Sequence, residues 1–256
     1  MNILFLGDIV GRGGRDIVFK HLKQLQEDFA IDFTIVNGEN SAHGKGITSK
    51  IYYQLKDYGV NAITLGNHAY AKSEIKEVIE GLDDLIAPYN HLVQIDKGYQ
   101  VYTVKGLKLC VINLLGSALM YDNHQDAFSS LSDILNKVKA DLYFVDFHAE
   151  ATSEKMLLAQ YFKNKVTAVI GTHTHVQTAD ERLIEGTAYL SDVGMCGVYD
   201  SIIGRDINEM IDNIILKQKT SYTIAKGPSI LCGCVIEIDE NTKQATSIKR
   251  IQIRPE

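Results

Sequence analysis

The chain of 256 residues contains no tryptophan, only three prolines and four cysteines. It has no low-complexity segment, no internal repeat and no Pro/Gly/Ser-rich linker, so a single domain spanning 1–256 is the simplest division. Cys110, Cys196, Cys232 and Cys234 form no CxxC pair. That excludes a disulfide scaffold and leaves buried thiols in a reducing cytoplasm as the expectation. Cys232 and Cys234 share a face if they lie on a strand, but two further zinc ligands are not near them in sequence. No apolar run approaches the roughly 18 residues that a membrane span needs. The apolar start, Met1 to Leu6, lacks a basic leader and meets Asp8, which reads as a first strand rather than a signal peptide. Positive charge is also short, with 26 Lys and Arg against 32 Asp and Glu, a net charge of −6. That argues against a basic face for long nucleic acid. It does not exclude small anions held through a bound cation, which a formal count omits.

What is abundant is short apolar runs alternating with amphipathic stretches. Ile3–Leu6, Phe33–Val36, Ala62–Leu65, Leu109–Leu115, Leu142–Val145, Thr167–Ile170 and Thr187–Leu190 are rich in Val, Ile and Leu and read as buried strands. Arg15–Phe29, Ser49–Tyr58, Ser73–Ile79, Ala127–Val138 and Ser153–Phe162 carry apolar residues at helical spacing. Such alternation predicts βαβ units and a largely parallel sheet. Two hairpins add antiparallel strands: Tyr99–Val104 with Lys108–Ile112, and Ser229–Ile238 with Ala245–Ile253. The fold class expected is α/β, with mixed sheet flanked by α-helices.

The predicted strands end in an unusual set of residues: Gly7-Asp8, Gly38-Glu39-Asn40, Gly66-Asn67-His68, Asp146-Phe147-His148, and Gly171-Thr172-His173-Thr174-His175. In an open α/β sheet the loops at the carboxyl ends of strands form the ligand crevice. Singly, each residue has a plain reading. Asp8 could be a helix N-cap, Asn40 a turn residue, and His148 a core histidine. Together they bring carboxylate, amide and imidazole ligands to one edge. His173 and His175, if extended, point to the same side and suit two metal ions about 3.5–4 Å apart. Oxygen and nitrogen ligands without sulfur favour Mn, Fe, Zn or Co.

These five pieces, in this order, resemble the calcineurin-like metallophosphoesterases, and among them the bacterial YmdB-type phosphodiesterases. Ser191-Asp192-Val193-Gly194-Met195 is similar to that branch too. The resemblance implies a sandwich of two mixed β-sheets flanked by α-helices and a dinuclear metal centre, Fe or Mn first, with Zn compatible. Asp8, Glu39, Asn40 and His175 would hold one ion. Glu39 would bridge to a second held by Asn67, His148 and His173. A metal-bridging hydroxide would attack phosphorus, with His68 as general acid. Substrates implied are small phosphodiesters, notably 2′,3′-cyclic nucleotides, and a homo-oligomer is compatible. Val10 and Glu39 replace the superfamily's usual histidine and aspartate, as in the branch itself. Ala69-Tyr70-Ala71 follows His68 where an acidic residue is usual, so His68 depends on another partner for its orientation.

Around this set, His43 in the glycine-rich loop Ser41–Gly46 and Gly204-Arg205-Asp206 are candidates for the rim. Arg12 and Arg15 read as a solvated turn or as a phosphate contact at a helix start. Tyr70 either stacks on a base or packs beside the site. His21, His91 and His124 read as surface or loop residues. The competing functions are a phosphomonoesterase such as a nucleotidase, which the same centre would serve, and a metal-binding regulator without catalysis. A dinucleotide-binding oxidoreductase is excluded, because Gly7 to Gly14 is not GxGxxG and places an acid where pyrophosphate approaches.

Overall fold

The computed structural model describes residues 1–93, 97–120 and 124–255. In chain order the first elements are β1 (Asn2–Leu6), β2 (Asp8–Ile9), α1 (Gly11–Asp28), β3 (Phe33–Asn37), α2 (Ser49–Asp57), β4 (Ala62–Thr64), α3 (Ser73–Val78) and β5 (Leu85–Ile86). The middle comprises β6 (Tyr99–Val104), β7 (Leu107–Leu115), α4 (Ala127–Lys137), β8 (Leu142–His148), α5 (Thr152–Phe162) and β9 (Ala168–Thr172). The last are β10 (Arg182–Ile184), β11 (Thr187–Leu190), β12 (Met195–Val198), α6 (Ile207–Met210), β13 (Ser229–Asp239) and β14 (Gln244–Ile253). Both expected hairpins form, each pairing antiparallel.

The strands build two sheets. One runs β2-β12-β13-β1-β3-β4-β5, with β14 added beside β13; the other runs β10-β11-β9-β8-β7-β6. In the first, β1, β3, β4 and β5 are parallel. In the second, β7, β8, β9 and β11 are parallel, with antiparallel strands at both edges. Alternation along β1 shows how the layers are made. Ile3 and Phe5 enter the core between the sheets, whereas Leu4 and Leu6 enter the core under α1 and α2. Phe5 meets Phe144 of the opposite sheet edge to face, centroids 5.1 Å apart. On the far side, Cys110, Ile112 and Phe147 pack with Leu131 and Ile134 of α4 and Leu158 and Phe162 of α5. Strands buried on both faces explain why the sequence shows apolar runs rather than alternation. Full burial of each such side chain contributes roughly 1.5–3 kcal/mol. Among the described residues, no helix is long and apolar enough to cross a membrane.

The largest boundary difference from the sequence expectation is at the first helix. Helix α1 starts at Gly11, not Arg15, and so runs through the glycine-rich turn. The reason is close packing on β12: a Cβ at Gly14 would lie 2.1 Å from the Cys196 carbonyl oxygen. Only glycine permits that approach. The two- to four-residue strands β2, β5, β10 and β12 were not expected from periodicity, being too short to show any.

Candidate metal centre and active-site cleft

The parallel strands of both sheets deliver their carboxyl ends to one place. Asp8 follows β1, Glu39 and Asn40 follow β3, Asn67 and His68 follow β4, His148 ends β8, and His173 and His175 follow β9. The sheets are also stitched together beneath them. Asp146 of β8 accepts hydrogen bonds from Asn37 (2.9 Å), Thr64 and Thr172 (2.7 Å). Burial pushes the Asp146 carboxyl up to about 6, against the opposing pull of His148 and of these donors.

Glu39 is the hub. It is buried, with Oε1 3.2 Å from His148 Nε2 and Oε2 accepting the His68 amide at 3.1 Å. His148 Nε2 also lies 3.1 Å from Asn67 Oδ1 and 3.0 Å from His173 Nδ1. Ligand atoms of Glu39, His148 and His173 all lie within 4.8 Å of one another. Adjoining them, His175 Nε2 is 3.0 Å from Asn40 Nδ2 and 3.9 Å from Asp8 Oδ1. The seven residues expected as ligands therefore lie at one place, with Glu39 beside both His148 and Asn40.

Each histidine has its other nitrogen held by an acceptor. Thr172 gives its hydroxyl proton to Asp146, so it accepts the Nδ1–H of His148 at 2.8 Å. His173 Nε2 meets Glu150 at 3.2 Å, and His175 Nδ1 meets the Ile203 carbonyl at 2.9 Å. These contacts orient the rings and turn their other nitrogens inward, as outer partners do at metal sites. The strand ends at Thr172, so strand alternation does not aim His173 and His175 as the sequence suggested. Both instead occupy left-handed backbone, at φ 99° and 65°, and face the two adjoining groups separately. Such conformations cost of order 1–3 kcal/mol and persist where the surroundings enforce them. Here a buried ion pair does so. Lys155 donates to Asp192 and to the Thr172 carbonyl, both at 2.9 Å, and Asp192 accepts the Thr174 amide at 3.0 Å.

The donor set fits metal ions. Asp8 Oδ1 is buried and, among the described residues, has no hydrogen-bond partner. Burial raises the Asp8 carboxyl, with the neighbouring histidines opposing. A buried carboxylate oxygen without a donor is costly unless a cation meets it. Burial would raise Glu39 too, but His148 and His68 hold it well below the usual carboxylate range. The facing rings resolve oppositely. Burial lowers both, yet Glu39 and Asp8 lift His148 to about 9, while burial and His148 press His173 down to about 3. One positive charge is thus favoured between these rings and a second is not. Gly66 leaves the room: a Cβ there would meet Glu39 Oε2 at 2.1 Å and His148 Nε2 at 2.5 Å.

Above the ligands opens a cleft of about 330 Å³, lined by Glu39, Asn40, His68, Glu150, His173 and His175, and on its outer side by Gly44, Ile203, Arg205 and Tyr222. Of the rim candidates, Arg205 lines it and His43 does not; His43 is exposed and its neighbour Gly44 takes the position. Arg12 pairs with Asp16 in solvent, and Arg15 donates to the Ser41 carbonyl, tying α1 to the loop after β3. Neither lines the cleft. Tyr70 packs edge to face on His91, 5.0 Å between centroids, and is not among the residues that line the cleft. His91 and His124 bridge each other in the loops, and His21 lies on α1. Lys155 and Tyr222 were not singled out from sequence. A lysine in an amphipathic helix reads as solvated, and Tyr222 sits in a segment with no periodic pattern.

The model of the family described as YmdB-like protein matches residues 4–251. The chain is 44% identical to a Bacillus subtilis protein named 2′,3′-cyclic-nucleotide 2′-phosphodiesterase, over 99% of this chain and 97% of that one. A Mycoplasma pneumoniae crystal structure described as a novel phosphatase superposes with a TM-score of 0.94 at 36% identity, covering 99% and 93% of the two chains. A Thermus thermophilus protein described as hypothetical superposes at 0.93 with 35% identity, covering 99% of each. With that family model matched over residues 4–251 and its strands built into a two-sheet sandwich, the chain belongs to the YmdB-like family of metallophosphoesterase-type proteins.

Proposed function

We propose that this protein hydrolyses small phosphodiesters, 2′,3′-cyclic nucleotides foremost, at a dinuclear metal centre. The observation that carries the reading is the convergence of seven ligands in which every histidine has its outward nitrogen held. The Bacillus subtilis relative's name supplies the substrate class. Asp8, Glu39, Asn40 and His175 would hold one ion, and Asn67, His148 and His173 the other, with Glu39 shared. When bound, such a pair supplies a water of lowered pKa and positive charge against the phosphoryl oxygens. Fe or Mn suits this oxygen and nitrogen set, and Zn is compatible.

The chain's own part begins with placing the phosphate over Glu39 and between the two ligand groups. As the new P–O bond forms and the ester P–O bond breaks, the departing oxygen needs a proton. His68 lines the cleft beside Glu39, and its backbone is fixed by the Glu39 carboxylate. It would donate that proton as general acid. Glu150, on the same cleft wall and bound to His173, would keep that ring turned inward.

The test is turnover of bis-p-nitrophenyl phosphate and p-nitrophenyl phosphate by protein supplied with Mn or Fe. Glu39→Gln should abolish diester turnover, and His68→Ala should lower kcat by about 10²- to 10⁴-fold. Preference for the monoester would replace this reading with a phosphatase. Turnover of neither substrate would sink the catalytic reading and favour a binding regulator.

A further inference from the structure

The outer wall of the cleft is built differently from its floor. It comes from the segment between β12 and β13, closed on itself by bridges of Arg205 to Ile202 and to Ile224. Arg205 grips Glu209 with two nitrogens, at 2.7 to 3.2 Å, and Glu209 accepts a further bond from Thr220 at 2.7 Å. Held this way, the guanidinium lies 4.6 Å over the centroid of the Tyr222 ring. The Tyr222 hydroxyl reaches across to donate to the Gly44 carbonyl at 3.3 Å. Gly44 belongs to the loop that carries Glu39 and Asn40, and a Cβ there would come within 2.7 Å of that hydroxyl. The ring is thus clamped at its face and at its tip, yet Tyr222 remains 49% exposed. The wall also touches the metal ligands directly, because Ile203, two residues before Arg205, accepts from His175.

We propose that the Tyr222 ring, backed by Arg205, is the stacking platform for the base of a nucleotide whose phosphate lies over Glu39. This rests on the phosphodiester reading above and adds to it a specificity element for nucleosides over other diesters. Bases are taken up on aromatic faces and guanidinium planes, and stacking tolerates any base because each has a π-face. A ring already fixed by Arg205 and Gly44 loses little freedom on binding, so more of the stacking energy appears as affinity. A cleft of about 330 Å³ is within the range of small-ligand sites. Among the described residues lining it, Arg205 is the only lysine or arginine, and its charge is matched by Glu209. It therefore supports the ring more than it attracts phosphate.

The experiment measures binding of adenosine 3′-monophosphate and of inorganic phosphate to the metal-loaded protein by calorimetry. Wild type, Tyr222→Ala and Tyr222→Phe are compared, with 2′,3′-cyclic AMP hydrolysis followed in parallel. Wild type should bind the nucleotide at least about tenfold more tightly than phosphate. Tyr222→Ala should weaken the nucleotide about tenfold or more and leave phosphate within about twofold. Tyr222→Phe keeps the ring and should stay close to wild type. In hydrolysis, Tyr222→Ala should raise KM with kcat little changed. Equal weakening of both ligands would make the ring a structural support only and overturn the proposal. So would a wild type that binds the nucleotide no more tightly than phosphate. Tyr222-dependent nucleotide binding in a protein that does not hydrolyse the cyclic nucleotide would sink the reaction while the platform stands.

Discussion

A single glycine sets how closely the candidate metal-binding residues can pack. Gly66 passes so close to Glu39 and His148 that no Cβ can be added without moving one of them. Both side chains are buried and tied into hydrogen bonds on their far sides, so they cannot retreat cheaply. Gly66→Ala should therefore leave the fold in place but displace a ligand by about 1 Å, a shift that can cost about 10²-fold in rate. The check is bound metal by elemental analysis beside diester turnover, with circular dichroism as control. Wild-type metal content and activity in a folded variant would show that Glu39 tolerates the displacement. The cysteines illustrate the opposite case. All four are free and buried, and burial pushes the Cys110 thiol up to about 12. They are packing residues, as their sequence spacing implied.

Among elements, the segment between β9 and β11 carries the most consequence. Its backbone is left-handed at both histidines, and buried or half-buried polar contacts tie it down. Lys155 and Asp192 hold one end; breaking such a buried pair typically costs about 3–5 kcal/mol, because the remaining charge is stranded. Asp180 holds the other end, accepting from Thr178, from the Ser191 hydroxyl and from the Ser191 amide. Burial acts to raise the Asp180 carboxyl, but these bonds and Arg182 prevail and hold it below its ordinary value of 3.8. A carboxylate lowered by folding stabilises the native state above its unfolded pKa, and that contribution is lost as pH falls through the folded value. Asp180→Asn should therefore be less stable than wild type at pH 7, and the gap should narrow as pH drops below 3.8. Urea unfolding at pH 7 and at acid pH measures this. A gap that widened on acidification would reverse the assigned sign.

For the whole molecule, the centre gathers Asp8, Glu39 and three histidines in one largely buried place. Folding must bury two acids there, one of which, Asp8, is raised mainly by burial. A cation that binds only the folded form offsets that cost by linkage, about 2.7 kcal/mol at a hundred times Kd. For a chain of this size that corresponds to a rise in Tm of roughly 5–10 °C. Thermal scans with a chelator and then with Mn, Fe or Zn should show the rise, and Glu39→Gln should lose most of it. A Tm indifferent to every one of these metals would remove the metal reading.

Strand and helix periodicity, the two hairpins and the ligand-bearing strand ends were all legible in the sequence. Each is a local property: a pleat or a helical turn repeats along the chain, and a strand that ends in glycine and a ligand announces itself within three residues. Tertiary structure alone decided what those ends do to one another. Glu39 meets His148 across 109 positions of sequence, and Asn37 meets Asp146 across as many, because two separate sheets present the same edge. Which nitrogen of each histidine faces inward depends on Thr172, Glu150 and Ile203, partners with no fixed spacing from the rings they hold in common. The start of α1 at Gly11 depends on contact with β12, and the wall of Arg205 and Tyr222 depends on a non-periodic loop closing over Gly44. Contacts between distant segments leave no period in the sequence, so the candidate ligands could be named from it while the partners that orient them could not.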